Sequence, residues 1–323
     1  MPWFDLDIEA LKDYRTKVIE PDDFDSFWSE MKDLAYQAIE PTELTPYKEQ
    51  LYSPMLRIYD VTFSGAHGDP IRAWYIKPKE YDSCLPLIIN FAGYGGGRGL
   101  PVENLSYGAL GFATFIMDTR GQGSSWRTGD TGDPEHGGQG PSYPGFMTRG
   151  ISDRRKYYFT RLYIDAVRAV EEACKLDDID QTKVFLSGRS QGGALSLAAA
   201  ALGSVDIKAC VAEVPFLADF PRAIGIGSYP YKEIADFLSQ HVEMVEKVFN
   251  TLSYIDTAIL ARRIKTSCLL TVGLMDDIAP PSSVYAVYNE IKSQKKLEVY
   301  PFSGHEMPSL QQEKSMEFIK EHL

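Results

Sequence analysis

Five consecutive residues, Gly188-Arg189-Ser190-Gln191-Gly192, place glycines two before and two after a serine. This G-x-S-x-G spacing has chemical meaning when an apolar strand leads in and a helix leads out, since the sharp turn then lifts the hydroxyl above a sheet edge. Both flanks are present: Val184-Phe185-Leu186 before the turn and an Ala/Leu-rich run from Ala194 to Ala201 after it. Side chains at 188 and 192 would crowd such a turn, and glycine tolerates its unusual dihedrals. A helix starting just past Ser190 would aim free N–H groups at an anion formed there, with the Gln191 N–H as one donor. A serine hydroxyl is a weak nucleophile and needs a base, most often imidazole, whose pKa lies near working pH. Of five histidines, only His305 follows a predicted strand end downstream of the serine. A carboxylate should orient that ring and stabilise its protonated form. Asp276 lies at the end of the preceding strand, and Asp277, one residue further on, is the competing acid. Such a set performs acyl transfer through a covalent acyl-enzyme.

These groups lie far apart in the chain, so a regular scaffold must gather them. Arg57 to Phe63 and Ile71 to Ile76 alternate in period two around a glycine-containing turn and predict a hairpin. Leu85 to Phe91, Gly111 to Asp118, Ile207 to Pro215 and Thr266 to Leu274 are apolar runs expected of strands buried on both faces. Lys296 to Tyr300 adds a short strand before His305. Helical spacing marks Arg161 to Lys175 and the last stretch, Leu310 to Leu323, and Pro280-Pro281 mark another helix start. Strands alternating with helices from Leu85 onward predict an α/β protein with a mostly parallel central sheet flanked by helices. Without a composition break or repeat, 1–323 reads as one domain, with 1–50 a helical N-terminal extension over the core.

The order serine, acid, histidine is that of the α/β-hydrolase fold, in which the loop after an early strand supplies a second oxyanion donor from its backbone. Here that loop is Ala92-Gly93-Tyr94-Gly95-Gly96-Gly97, and Tyr94 is the best candidate by position. The loop lacks the Lys-Ser/Thr ending of a P-loop and the full dinucleotide fingerprint. Residues 120–150 are Gly- and Pro-rich and carry Trp126, Tyr143 and Phe146, which suggests an ordered loop near the site mouth. His136 on that loop is a rival base, whereas His67, His241 and His322 read as surface residues. Phe216 to Asn250 sits where such folds insert a cap over substrate.

Composition narrows the partners. The chain has 323 residues, with 45 acidic and 33 basic side chains, for a formal charge of −12. That balance, without a Lys/Arg cluster, is a poor match for nucleic acid or an anionic membrane and suits a small neutral or cationic substrate. No apolar run is long enough to span a bilayer, and the acidic N-terminal stretch has no apolar core of a secretory signal. The four cysteines (84, 174, 210 and 268) form neither a C-x-x-C pair nor a zinc spacing. A cytoplasmic protein is the expectation.

GRSQGG (188–193), RGQG (120–123), GLMDDIAPPSS (273–283), GHE (304–306), PGFMTRGI (144–151) and PDDF (21–24) together resemble the acetyl xylan esterase and cephalosporin C deacetylase family, carbohydrate esterase family seven. The resemblance runs from near the N-terminus to the last helix. It implies Ser190 as nucleophile, Asp276 and His305 as its partners, and the N–H groups of Tyr94 and Gln191 as the oxyanion hole. It also implies a cytoplasmic homohexamer that deacetylates small acetylated sugars and cephalosporin C without a metal or organic cofactor. Two residues depart from that family's pattern: Ala92 where it has His, and Arg189 where it has Gly. Arg120 and Gln122 are read as structural, a buried arginine tying loop carbonyls or a carboxylate together. The alternatives are a serine peptidase of the prolyl-oligopeptidase type and a catalytically silent α/β-hydrolase used as a binding module.

Overall fold

The computed structural model describes residues 4–52, 55–136, 138 and 140–323. Its frame is a nine-stranded sheet: β1 (Glu43–Pro46), β2 (Leu56–Ser64), β3 (Pro70–Pro78), β4 (Leu85–Phe91), β5 (Ala113–Met117), β6 (Ile179–Arg189), β7 (Ala209–Glu213), β8 (Ser267–Gly273) and β9 (Lys295–Tyr300). The strand order is β1-β2-β3-β5-β4-β6-β7-β8-β9. The first three pairings are antiparallel and the remaining five are parallel. The expected strands are all present, and the topology is that of an α/β-hydrolase.

The parallel strands are apolar on both faces because both faces are covered. Successive residues point to opposite sides, and the two cores sort accordingly. Leu87, Ile89 and Phe91 of β4 join the larger core, with Val184 and Leu186 of β6. That core includes the helix Tyr158–Cys174 and the elbow helix Gln191–Leu202. Ile88, Phe185, Val211 and Leu269 face the other way, against Phe318 and Ile319 of the last helix, Leu310–Lys320.

The first fifty residues are only partly the helical extension expected. Helices form at Ile8–Lys12 and Phe24–Tyr36, and the segment then runs into β1 at the sheet edge. Pro41 and Pro46 bracket this stretch, and proline is disfavoured inside a helix but tolerated on an edge strand. The run from Ile234 to Phe249 is also not one helix: it divides into Tyr231–Gln240 and Val245–Ser253, with a break at His241.

Candidate active site

The elbow forms at the C-terminal end of β6, the fourth strand from the nearer edge. Ser190 has φ 58° and ψ −120°, a conformation that costs a non-glycine residue about 1–3 kcal/mol and persists only where the surroundings enforce it. Here they do. The Ser190 N–H donates to the Glu213 carbonyl of β7 at 2.8 Å, and its own carbonyl accepts from Ala194 and Phe216. Both glycines are sterically required: a Cβ at Gly188 would lie 2.3 Å from the Gly192 backbone, and one at Gly192 would lie 2.1 Å from the Phe91 carbonyl oxygen. The elbow helix is therefore pressed against both its own strand and the end of β4.

His305 and Asp276 come together as expected. The His305 Nδ1 lies 2.8 Å from Asp276 Oδ2. The other carboxylate oxygen of Asp276, which is fully buried, accepts from the N–H groups of Ile278 and Ala279, both at 2.9 Å. Three hydrogen bonds thus hold the carboxylate facing the ring. Gly273 makes the approach possible, since a Cβ there would collide with the backbone of Ser303 and Gly304 in the His305 loop. The hydrogen bond to the ring comes from Asp276, while the Asp277 backbone carbonyl accepts from the Ser228 N–H. The Ser190 hydroxyl itself makes no hydrogen bond among the described residues, a state common in substrate-free sites, where the serine–imidazole bond tightens only on binding.

The other histidines are engaged away from this cluster. His67 sits 3.9 Å from Glu135, His241 pairs with Glu243, and His322 bonds the Phe318 carbonyl in the last helix. The side chain of His136 lies outside the described residues.

The glycine-rich loop after β4 lies beside the serine: a side chain on Gly93 would sit 3.9 Å from Ser190 Cβ. Among the described residues, neither the Tyr94 N–H nor the Gln191 N–H has an acceptor. Two backbone donors without protein partners beside Ser190 are what an oxyanion formed there would require. The side chains around them hold the loop in place. Gln122 is fully buried; its Oε1 accepts from Gly95 N at 2.6 Å and its Nε2 donates to Gln191 Oε1 at 2.8 Å and to the Tyr158 hydroxyl at 3.0 Å. Gln191 Nε2 in turn reaches the Ala92 carbonyl at 3.3 Å. Arg120, the other half of that motif, forks onto Asp165 at 2.5 and 2.7 Å and onto Asp69 at 2.8 Å. The structural role expected of both residues is observed, with carboxylates as the arginine's partners.

The Tyr94 side chain anchors the loop from the far side. Its hydroxyl donates to Glu233 at 2.7 Å and accepts from the N–H groups of Gly145 and Phe146. Burial, then the neighbouring Glu233 charge, pushes this phenol far above its ordinary pKa, so it stays a donor. Glu233 belongs to the segment expected to form a cap, and Gly145–Met147 to the long loop; both therefore pack on the oxyanion loop. Sequence reasoning assigned Glu233 no role, since nothing local marks a helical glutamate as the partner of a tyrosine 139 residues earlier.

The profile of the acetyl xylan esterase (AXE1) family matches residues 1–322. The chain belongs to that family. Acetyl esterase Axe7A of Xylanibacter ruminicola is 31% identical over 302 residues, which cover 92% of this chain and 65% of the relative. The chain thus spans just under two thirds of that protein's length. The acetyl xylan esterase of Paenibacillus sp. R4 superposes with a TM-score of 0.88 at 34% identity, covering 98% of this chain and all of the other. Acetyl xylan esterase 1 of Thermoanaerobacterium sp. JW/SL YS485 gives 0.87, also at 34%, with 98% and 99% covered. Membership in the acetyl xylan esterase family places the chain among carboxylic ester hydrolases. Among the described residues, no helix is long and apolar enough to cross a membrane, and no group of His, Cys, Asp and Glu side chains is placed to hold a metal ion.

Proposed function

We propose that the protein is a serine esterase that removes acetyl groups from small acetylated carbohydrates, xylo-oligosaccharides above all, through an acetyl-enzyme. The observation that carries this reading is the 2.8 Å His305–Asp276 contact at the sheet edge that also carries the strained Ser190. In the proposed mechanism, Ser190 Oγ attacks the acetyl carbonyl as His305 Nε2 takes its proton, and Asp276 stabilises the imidazolium. The N–H groups of Tyr94 and Gln191 receive the oxyanion. His305 then protonates the departing sugar oxygen, activates a water, and returns its proton to Ser190 as acetate leaves. None of these steps calls for a metal or organic cofactor.

Ser190→Ala tests the assignment. Acetate release from acetylated xylo-oligosaccharides should fall by about four to six orders of magnitude with the melting temperature unchanged; near-normal turnover would remove Ser190 from its role. Acetyl esters should be hydrolysed faster than butyryl esters, and faster than an aminoacyl-proline amide, the substrate that a peptidase would prefer. The same proposal extends to cephalosporin C as a second substrate and to a cytoplasmic homohexamer. Both extensions rest on the family resemblance, and acetate release from cephalosporin C and light scattering of the purified protein test them.

A further inference from the structure

A cleft of about 690 Å³ lies close to the elbow but is not lined by Ser190. It lies on the opposite sheet face, between the strand ends and the last helix, and passes behind the catalytic loops: Ala92 and Gly93, then Gly188 and Arg189, then Met307 and Pro308 all line it. Its size falls within the range of about 300–1,000 Å³ that small-molecule sites occupy.

The floor of this cleft is chemically out of place. A sandwiched parallel sheet should be apolar on both faces, and on this face it begins so, with Ile88, Phe185 and Val211 packed in the smaller core. Two residues further along each strand, on the same face, stand Asn90, Ser187 and Glu213, and all three line the cleft. Asn90 and Ser187 are paired across β4 and β6. Ser187 has one long contact, 3.4 Å to the Tyr107 hydroxyl. Glu213 accepts from Ser315 at 3.0 Å, and burial pushes its carboxyl pKa up. The half-buried Asn90 amide has no hydrogen-bond partner among the described residues. Its amide atoms are open to the cleft, where a ligand can take the place of water.

The walls fit the same occupant. Trp126 lines the cleft and is 60% exposed, yet it is not free to move. Its indole N–H donates to the Tyr94 carbonyl at 2.8 Å, and its ring lies so close to Gly96 that a Cβ there would be 2.5 Å from it. The space that a Gly93 side chain would fill is 3.5 Å from this ring and 3.9 Å from Ser190 Cβ, so the indole stands at the border between cleft and nucleophile. On the facing side, Arg189 touches Glu213 and the Met307 carbonyl only at 3.5 Å each, leaving most of its five donors unused. A fixed aromatic face beside an unpaired amide, a loosely held hydroxyl and a guanidinium with donors to spare suits a ligand with an apolar ring face and a hydroxylated rim.

We infer that this cleft is a second saccharide subsite, which holds a neutral pyranose ring linked to the acetylated ring at Ser190. The hydroxyls of that ring bond Asn90 and Arg189, and Trp126 lies under the link between the two. The inference rests on the esterase reading only for what is attached to the first ring, so it can be tested without turnover. Isothermal titration of the wild-type protein with unacetylated xylotetraose should give saturable binding. Asn90→Leu should weaken it about 10-fold, the loss expected for one or two hydrogen bonds, and leave the melting temperature unchanged or higher, because the amide bonds nothing within the protein. The KM of acetylated xylobiose should lie below that of acetylated xylose in the wild type, and Asn90→Leu should remove the difference. Absence of xylotetraose binding, equal affinity in the two proteins, or an Asn90→Leu protein that melts well below the wild type would each overturn the subsite. Such a failure alongside an inactive Ser190→Ala protein would leave the esterase standing, whereas binding alongside an active Ser190→Ala protein would do the reverse.

Discussion

The two sides of Ser190 are built differently. On one side, the glycine-rich loop is held by the fully buried Gln122 and Gln191, which join it to the elbow, and by the half-buried Tyr94, which ties it to the cap segment and the long loop. Behind it lies Arg120, with its three contacts to Asp165 and Asp69. On the other side, the half-buried His305 hangs from a loop whose ties near the ring are few. They are the Asp276 bond, the Met275 N–H to the Ser303 carbonyl, and the long Arg189 contact with Met307. The difference fits the tasks the two sides have in the proposed mechanism. Donors to an oxyanion act through fixed placement and lose their advantage if they must reorganise. A base that takes a proton from one oxygen and delivers it to another has to serve two positions in turn.

Four substitutions can break or sharpen this contrast. Asp276→Asn keeps the shape of the base side but presents the wrong partner to Nδ1, and kcat should fall about 10⁴-fold with little change in KM. A loss below 10-fold would mean that the ring is oriented by something else. Arg120→Ala leaves Asp165 buried without its cation and should cost about 3–5 kcal/mol in chemical denaturation; a near-neutral result would show the clamped side to be less rigid than its bonding suggests. Gln122→Leu releases the oxyanion loop from the elbow and should lower kcat about 10²-fold, comparable to losing one oxyanion donor. If KM rises instead and kcat holds, the clamp serves binding. Arg189→Ala should be mildest, about 2- to 5-fold in kcat, as expected of a half-exposed ion pair. A larger loss than that of Gln122→Leu would invert the comparison.

Much of this could be read from the sequence where the signal is local. The elbow glycines, the apolar strands and the order Ser190, Asp276, His305 are short-range patterns with a stated steric or chemical cause. The choice of Asp276 over Asp277 followed from closeness to the strand end, and the hydrogen bond falls on Asp276. What the sequence hid depends on pairing between distant strands and helices. That Gln122 meets Gln191 69 residues later, or that Arg120 finds Asp165, requires the registers of β4, β5 and β6 together. The polar row Asn90, Ser187, Glu213 is likewise invisible until three strands are aligned, because each residue alone looks like the ordinary end of a strand. Strand β1 was missed because four residues ending in a proline carry no periodicity.

The paired amides behind the oxyanion loop carry one more consequence. Their chain starts at a group that can only give a hydrogen, Gly95 N–H, and ends at one that can only receive it, the Ala92 carbonyl, so neither amide can be turned over. Glutamate at 191 would be nearly isosteric, yet it could complete the chain only while carrying a proton. One nitrogen-for-oxygen exchange would thus turn a permanent brace into an acid-dependent latch.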